Sequence, residues 1–406
     1  MNIIFVSNVC DKEEYEYIFN HRNKKIIDPM QKFLNQIISG VAKNVDKVFS
    51  ISVRPVSYST INQRKFEKKI KKTQNIDYIY PPFSNGLFSR FLTQFTAVYK
   101  EVCNIIEENE LDSNKTVIIC DALCLQASMA ARLAGKHKKV PSVAIVTDIP
   151  IMATKMKSSH LSVRQFCQSL YEKLTMFEIK KYNGYINLVK GMDRWINPSN
   201  KPSTVIEGTV ETVSQLFLDK EAKDKKIVLY AGGINKKYGL ETLVKAFVQC
   251  KRNDAELHIY GDGVYVAELQ EFCKIHSNVK YMGVALNAQM VELESQATLL
   301  VNPRFSNEEY TFYSFPSKTL EYMSSGTPVC STRLRGIPDE YEDYLYWFDE
   351  ESVEGFSNTL NCILDKDFEE LANFGKNAKN FVDKYKNNYI QGTKIAEFCQ
   401  QILECK

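Results

Sequence analysis

Residues 226–250 read KIVLYAGGINKKYGLETLVKAFVQC. The opening run, through Ala231, is short, apolar and closed at once by two glycines, the pattern of a strand buried on both faces. Past Gly232 and Gly233 the period changes. Leu240, Leu243, Val244 and Phe247 fall at helical spacing and share one stripe. Strand, glycine turn and amphipathic helix make half of a βαβ unit. The alternation recurs on both sides, with NIIFVS, KVFSISV, TVIICD and SVAIVTD in the first half and AELHIYG, NVKYMG, ATLLVNP and TPVCST in the second. Two such series predict an α/β protein of two doubly wound, Rossmann-like domains, 1–200 and 201–406. The boundary falls in the Pro- and Asn-rich stretch 196–211, and helices beyond residue 365 close the second domain.

The chain of 406 residues is long enough for two such cores. Its net charge of +3 conceals a division. Residues 1–200 carry 29 Lys and Arg against 18 Asp and Glu, or +11; residues 201–406 carry 23 against 31, or −8. A basic half beside an acidic half points to two domains that meet different partners. No nucleic-acid-binding module is recognisable. The 11 cysteines are scattered without a Cys-x-x-Cys pair, which predicts reduced thiols and a cytoplasmic setting. The N-terminal MNIIFVSNVCDKEE reads as a first strand rather than a signal peptide. The apolar stretch VIICDALCLQASMAARLA holds Asp121 and Gln126, and reads as strand, turn and helix rather than a membrane span. The run RKFEKKIKK, residues 64–72, reads as a solvated helix face; the sharper alternative is a patch for the inner face of an anionic membrane.

Open parallel sheets bind ligands at the carboxyl ends of their strands. Asp121, Asp148, Gly232 with Gly233, the Gly261–Asp262–Gly263 turn, and Asn302–Pro303–Arg304 all follow apolar runs there. Residues 314–329, SFPSKTLEYMSSGTPV, add a helix that starts after Pro316, with Ser314, Ser317, Lys318 and Thr319 at its mouth. The first N–H groups of a helix lack partners and the helix dipole is positive there, so this is an anion site or simply a well-capped surface helix. The GDG turn has no third glycine at Val266 and reads as a tight turn. The Asp365–Lys366–Asp367 run lies in a charged helical stretch, and no metal-ligand cluster is visible. His160 and His258 read as structural, and the aromatic run 344–349 as core.

In their order, YAGGINKKYGLETLVKAF, IYGDG, VKYMGV, ATLLVNPR and SFPSKTLEYMSSGTPV resemble the nucleotide-sugar domain of retaining GT-B glycosyltransferases of the glycosyltransferase-group-1 class. The SFPSK variant is similar to enzymes of bacterial capsular and exopolysaccharide synthesis. The resemblance implies two Rossmann-like domains facing across a cleft, the first for the acceptor and the second for the donor. It gives Glu321 to the ribose of the donor nucleotide, and the backbone around Ser317, Lys318 and Thr319 to the diphosphate. Gly232 and Gly233 would let backbone approach the same phosphates. Gly283 and Tyr313 join the donor site. Tyr313 stands where the family has its first motif glutamate, with Glu308 and Glu309 out of register. Gly233 stands in the usual arginine's place and Tyr238 in that of the lysine. Lys236 or Lys237, helped by Lys318 and Arg304, then neutralises the leaving diphosphate. The glycine-rich loop usual near the N-terminus is absent. Asp148 lies where donor sugar and acceptor meet, or caps its strand end.

The resemblance therefore implies a retaining hexosyltransferase that uses a nucleoside-diphosphate sugar, with UDP favoured. It needs no cofactor or metal, and its acceptor is a glycan or a lipid-linked glycan at the membrane face. Two alternatives stand beside it: a non-catalytic glycosyltransferase-like partner subunit, and a GT-B epimerase of nucleotide sugars.

Overall fold

A computed structural model describes residues 1–23, 29–87, 89–150, 163–211, 225–285 and 287–405. The chain forms two compact units, Met1–Glu211 with Asn388–Lys406, and Thr212–Asn387. His160 lies outside the described residues.

The first unit contains β1 (Asn2–Ser7), β2 (Lys47–Ser52), β3 (Lys65–Phe66), β4 (Lys69–Lys72), β5 (Ile76–Tyr80), β6 (Phe83–Ser84), β7 (Thr116–Asp121), β8 (Ser142–Val146), β9 (Gly184–Asn187) and β10 (Ser203–Val205). Its main sheet runs β10-β9-β8-β7-β1-β2-β5-β4. All neighbours are parallel except β4, which lies antiparallel on β5 at the edge. The central strands are apolar throughout because helices cover both faces; Ile3, Ile4, Phe5, Val117, Ile118 and Ile119 are all fully buried. Strand order reverses between β1 and β7, which opens a crevice at their carboxyl ends.

The second unit contains β11 (Lys226–Ala231), β12 (Ala255–Tyr260), β13 (Val279–Gly283), β14 (Leu299–Asn302), β15 (Val329–Ser331) and β16 (Tyr346–Trp347). Its all-parallel sheet runs β13-β12-β11-β14-β15-β16, the dinucleotide-fold order with the reversal between β11 and β14. The helix Leu240–Gln249 packs the predicted stripe of Leu240, Leu243, Val244 and Phe247 into the core.

Three expectations differ from the structure. The run 64–72 is not helical: it supplies β3 and β4, and the lysines lie along an edge strand. Lys68 pairs with Glu101 at 2.8 Å, Lys69 with the buried Glu14 at 2.9 Å, and Lys71 with Asp11 at 2.7 Å. These three cations are committed to the unit's own carboxylates. The domain division falls at residue 211, at the end of the expected stretch, rather than at 200. The last helix, Asn388–Glu404, does not close the second unit but packs in the first, with Ile395, Phe398, Cys399 and Ile402 among Ile37, Ile38 and Val41. Asp367 caps the helix Phe368–Tyr385 by accepting from the Glu370 N–H, and Asp365 pairs with Arg252, which accounts for both acids of that run.

Candidate functional site

The reversal between β11 and β14 brings two loops together, Gly232–Tyr238 after β11 and Pro303–Arg304 after β14. Tyrosines shape this corner. A side chain on Gly232 would meet the Tyr230 hydroxyl at 2.9 Å, and one on Gly233 the Tyr238 ring at 2.9 Å. The space expected for phosphate next to these glycines is thus partly taken by the protein's own rings. The Tyr230 hydroxyl donates to the Gly233 carbonyl at 2.9 Å. The Arg304 guanidinium sits 5.2 Å from the centre of the Tyr238 ring, and Tyr310 meets that ring edge-on. Burial pushes the Tyr310 phenol up to about 12, partly offset by the charge of Arg304. Among the described residues Arg304 has no ion pair, so its charge remains available at the strand end.

The glycines at 239 and 261 have a steric reason. Gly239 has φ +73°, and a Cβ there would lie 1.7 Å from the Pro303 carbonyl oxygen. Gly261 has φ +135°, and its Cβ would strike the Gly232 carbonyl at 1.8 Å. The GDG sequence is thus a tight turn that lets two strand-end loops cross. Gly283, at φ +77°, accepts from the Gly261 N–H at 2.8 Å and steadies the turn from β13.

The helix Ser317–Ser324 begins after Pro316 as expected. A residue not anticipated from the sequence fastens it. The buried Tyr322 hydroxyl donates to the Ala231 carbonyl at 3.0 Å and accepts from the Ala231 N–H at 2.8 Å. The last β11–β14 register pair is Leu229 with Leu300, so Tyr322 serves the backbone groups that the ladder leaves open. Ser317 and Lys318 occupy the first two helical positions, where N–H groups lack helical partners. Thr319 contributes less than expected. Its N–H already binds the Pro316 carbonyl at 2.7 Å, and its side chain is fully buried. Lys318 and Glu321, both half-buried, form an ion pair of 2.9 Å, and the buried Glu294 lies 4.0 Å from the same ammonium. Tyr313 ends the short turn Glu309–Phe312 and rests near the Phe312 ring.

The two loop lysines differ. The Lys236 ammonium donates to Glu268 at 2.5 Å and lies 3.9 Å from Glu241; the hydrogen bond to Glu268 holds its pKa above the usual lysine range. Lys237 is exposed and, among the described residues, has no ion pair. Asp148 stands at the end of β8 in the first unit and accepts from the Ile149 N–H at 2.7 Å. Its carboxylate reaches solvent, yet enough protein surrounds it to raise its pKa above the usual carboxylate value. His258 is structural, bonded to Glu256 at 3.0 Å. A cavity of about 400 Å³ beside Arg252, Asn253 and His276 lies at the amino end of β12, opposite the strand ends that carry this chemistry. Among the described residues no group of three or more metal-ligating side chains converges, and no helix is long and apolar enough to cross a membrane.

Residues 216–381 match the family model described as Glycosyl transferases group 1. This part of the chain is similar to the group 1 glycosyl transferases. The glycosyl transferase stretch holds the corner just described, from Gly232 to Glu321. A curated relative, N-acetyl-alpha-D-glucosaminyl L-malate synthase of Bacillus anthracis, is 23% identical over 348 residues, covering 82% of this chain and 83% of the relative. Sucrose-phosphate synthase of Thermosynechococcus elongatus superposes with a TM-score of 0.62 at 13% identity, covering 100% of both chains. HepE of Anabaena, solved in complex with UDP, superposes with a TM-score of 0.59 at 14% identity, over 99% of this chain and 100% of its own. The fold is accordingly that of the GT-B glycosyltransferases.

Proposed function

We propose that the chain transfers a hexose, with retention, from a nucleoside-diphosphate sugar to an acceptor handled by the first unit. The observation that carries this reading is the corner at the β11–β14 reversal. There a helix fastened by Tyr322 sets Lys318 and Glu321 near one end of the sheet, while Arg304 and Lys237 supply uncommitted charge on the loops. Breaking the anomeric bond builds negative charge on the leaving diphosphate. Fixed cations and the helix N-terminus stabilise that charge as it forms. Glu321 takes the ribose hydroxyls, exchanging its pairing with Lys318 for charge-assisted hydrogen bonds. Retention needs no strong base, because the departing phosphate can take the acceptor proton. UDP is the favoured nucleotide, supported by the HepE complex. The acceptor reading from the sequence is a glycan or lipid-linked glycan of a surface polysaccharide, acting at the cytoplasmic side. The relative named for L-malate adds a small hydroxy acid as an alternative.

The test is a panel of UDP-, GDP- and ADP-sugars with the purified chain, with and without EDTA. Thermal protection and slow hydrolysis of one donor are expected, undiminished by chelator. Glu321→Ala should weaken the cognate nucleotide by roughly 10- to 150-fold, the loss of a charge-assisted hydrogen bond. Unchanged affinity by calorimetry would remove Glu321 from the site. Absence of transfer by the wild-type chain, together with stimulation of a second glycosyltransferase, would favour a partner-subunit role.

A further inference from the structure

The first unit has its own strand reversal, between β1 and β7, and a second cavity opens there. It measures about 300 Å³ and is lined by Asn8 after β1, Val53 and Arg54 after β2, and Leu123 and Cys124 after β7. Arg22 and Arg90 reach it from the flanking segments, with Gln94 and Gln126 beside them. Among the described residues, three arginines line the cavity and no acidic side chain does.

We propose that this pocket binds the acceptor substrate, and that the acceptor is a small anion: a carboxylate or phosphate with a hydroxyl close to it. This rests on the reading of the chain as a glycosyltransferase.

The arginines have different duties. Arg54 is buried, pairs with Glu14 at 2.5 Å and lies over the Tyr80 ring, so its charge is met within the protein. Arg90 spends one N–H on the Val56 carbonyl at 2.6 Å and, among the described residues, has no ion pair. Arg22 donates to the neighbouring Pro55 carbonyl. Both side chains are thereby held against the loop after β2, with planar forks suited to a carboxylate or phosphate. The backbone here offers little to an anion. The N–H of Val9 goes to the Ser7 hydroxyl, that of Cys10 to Gln31, and that of Asp11 to Tyr80. Anion recognition here therefore passes to side chains. Asn8 supplies the second half of the specification. Its Oδ1 is buried and, among the described residues, has no hydrogen-bond partner. An acceptor oxygen beside bound anion calls for a donor, and a hydroxyl provides one. A transferase needs that hydroxyl in its acceptor.

The matched probes are glycerate, glycerol 3-phosphate and neutral glycerol, added to the full-length protein. Arginine modification by phenylglyoxal, located by mass spectrometry, reads the pocket without any substitution. One of the two anions should slow modification of Arg90 while glycerol does not, and which anion does so names the acid group. Arg90→Gln should weaken that probe by about 10-fold or more, and Arg90→Lys by less, since charge is kept but the fork is lost. Protection by neither anion, or protection of Arg90 by UDP instead, overturns the proposal. UDP binding followed in parallel separates the two readings: intact UDP binding without anion protection removes only the acceptor assignment. Anion protection with no nucleotide binding removes the glycosyltransferase reading itself.

Discussion

At the scale of single residues, Arg304 and Tyr322 illustrate two ways a side chain can matter to the same corner. Arg304 stands over the Tyr238 ring. The ring cannot neutralise phosphate, but it can hold a guanidinium in place. A charge that acts mainly as the bond breaks lowers turnover more than ground-state binding. Arg304→Ala should therefore reduce kcat on the order of 100-fold, with a much smaller change in UDP affinity. Steady-state kinetics beside calorimetry checks this, and equal losses in both would make Arg304 a simple binding residue. Tyr322 is fully buried and its hydroxyl serves the Ala231 backbone. Tyr322→Phe removes the acceptor of the Ala231 N–H and leaves a buried donor unpaired, at a cost of about 1–3 kcal/mol. A lower denaturant midpoint with unchanged slope is the expected result. Nothing in the sequence marks Tyr322 for this task. It reads as a core aromatic, and its partner lies 91 residues away.

Among elements, the basic run shows how a spacing can be read two ways. Phe66 and Ile70 are four residues apart, which suits one face of a helix. Four is also even, so the pair equally suits one face of extended chain. The structure takes neither form whole: Phe66 is buried on β3, while Ile70 is exposed on β4, whose residues Lys69 to Lys72 pair with 80 to 77 of β5 in antiparallel register. The acidic partners of Lys69 and Lys71 then come from the helix Lys12–His21 and its cap, which no local pattern could connect to residue 69. Lys69→Glu should accordingly destabilise the first unit, because it sets a carboxylate against the buried Glu14; about 1–3 kcal/mol is expected. Lys72 is exposed and has no ion pair among the described residues, so Lys72→Glu should stay within about 0.5 kcal/mol. Urea melts of the two variants decide the matter, and equal stability would mean that the lysines are only a solvated surface. Elsewhere the elements were plain in the sequence. The parallel strands are continuous apolar runs because both faces are buried, and the glycines after β11 and β12 mark where loops cross. The helix mouth at Ser317 was legible as well, from Pro316 and the polar residues around it. The pocket around Arg90 was not, since its lining residues come from six separate stretches that only the fold unites.

For the whole molecule, the course of the last helix is the feature that local sequence could least reveal. A helix beyond residue 387 follows the second series of strands in the chain, and order along the chain assigns it there. Packing assigns it to the first unit. The Asn388 N–H binds the Val210 carbonyl at 3.0 Å and the Gln391 side chain binds the Gly208 carbonyl at 3.0 Å, so the helix returns to the segment where the first unit's chain ends. It then crosses the helix Pro29–Ala42 at a contact between glycines. A Cβ on Gly392 would lie 2.2 Å from the Gly40 carbonyl carbon, and one on Gly40 would lie 1.8 Å from the Asn388 carbonyl oxygen. Backbone stands on both sides, so neither clash is relieved by a side-chain rotation. Gly392→Leu must push the two helices apart and open the apolar cluster around Ile395 and Phe398, with overpacking alone worth about 1–3 kcal/mol. If the units are separate cooperative bodies, the effect has a distinct map by hydrogen exchange. Amides in 2–7, 29–42 and 116–121 should exchange faster, although all precede residue 392 by hundreds of positions in the chain. Amides in 226–231 and 317–324, much nearer in sequence, should keep their protection, and UDP affinity should change by less than about 2-fold. Loss of protection in both sets to the same degree would mean that the two units unfold as one, and that the tail stabilises the whole chain rather than the first unit alone.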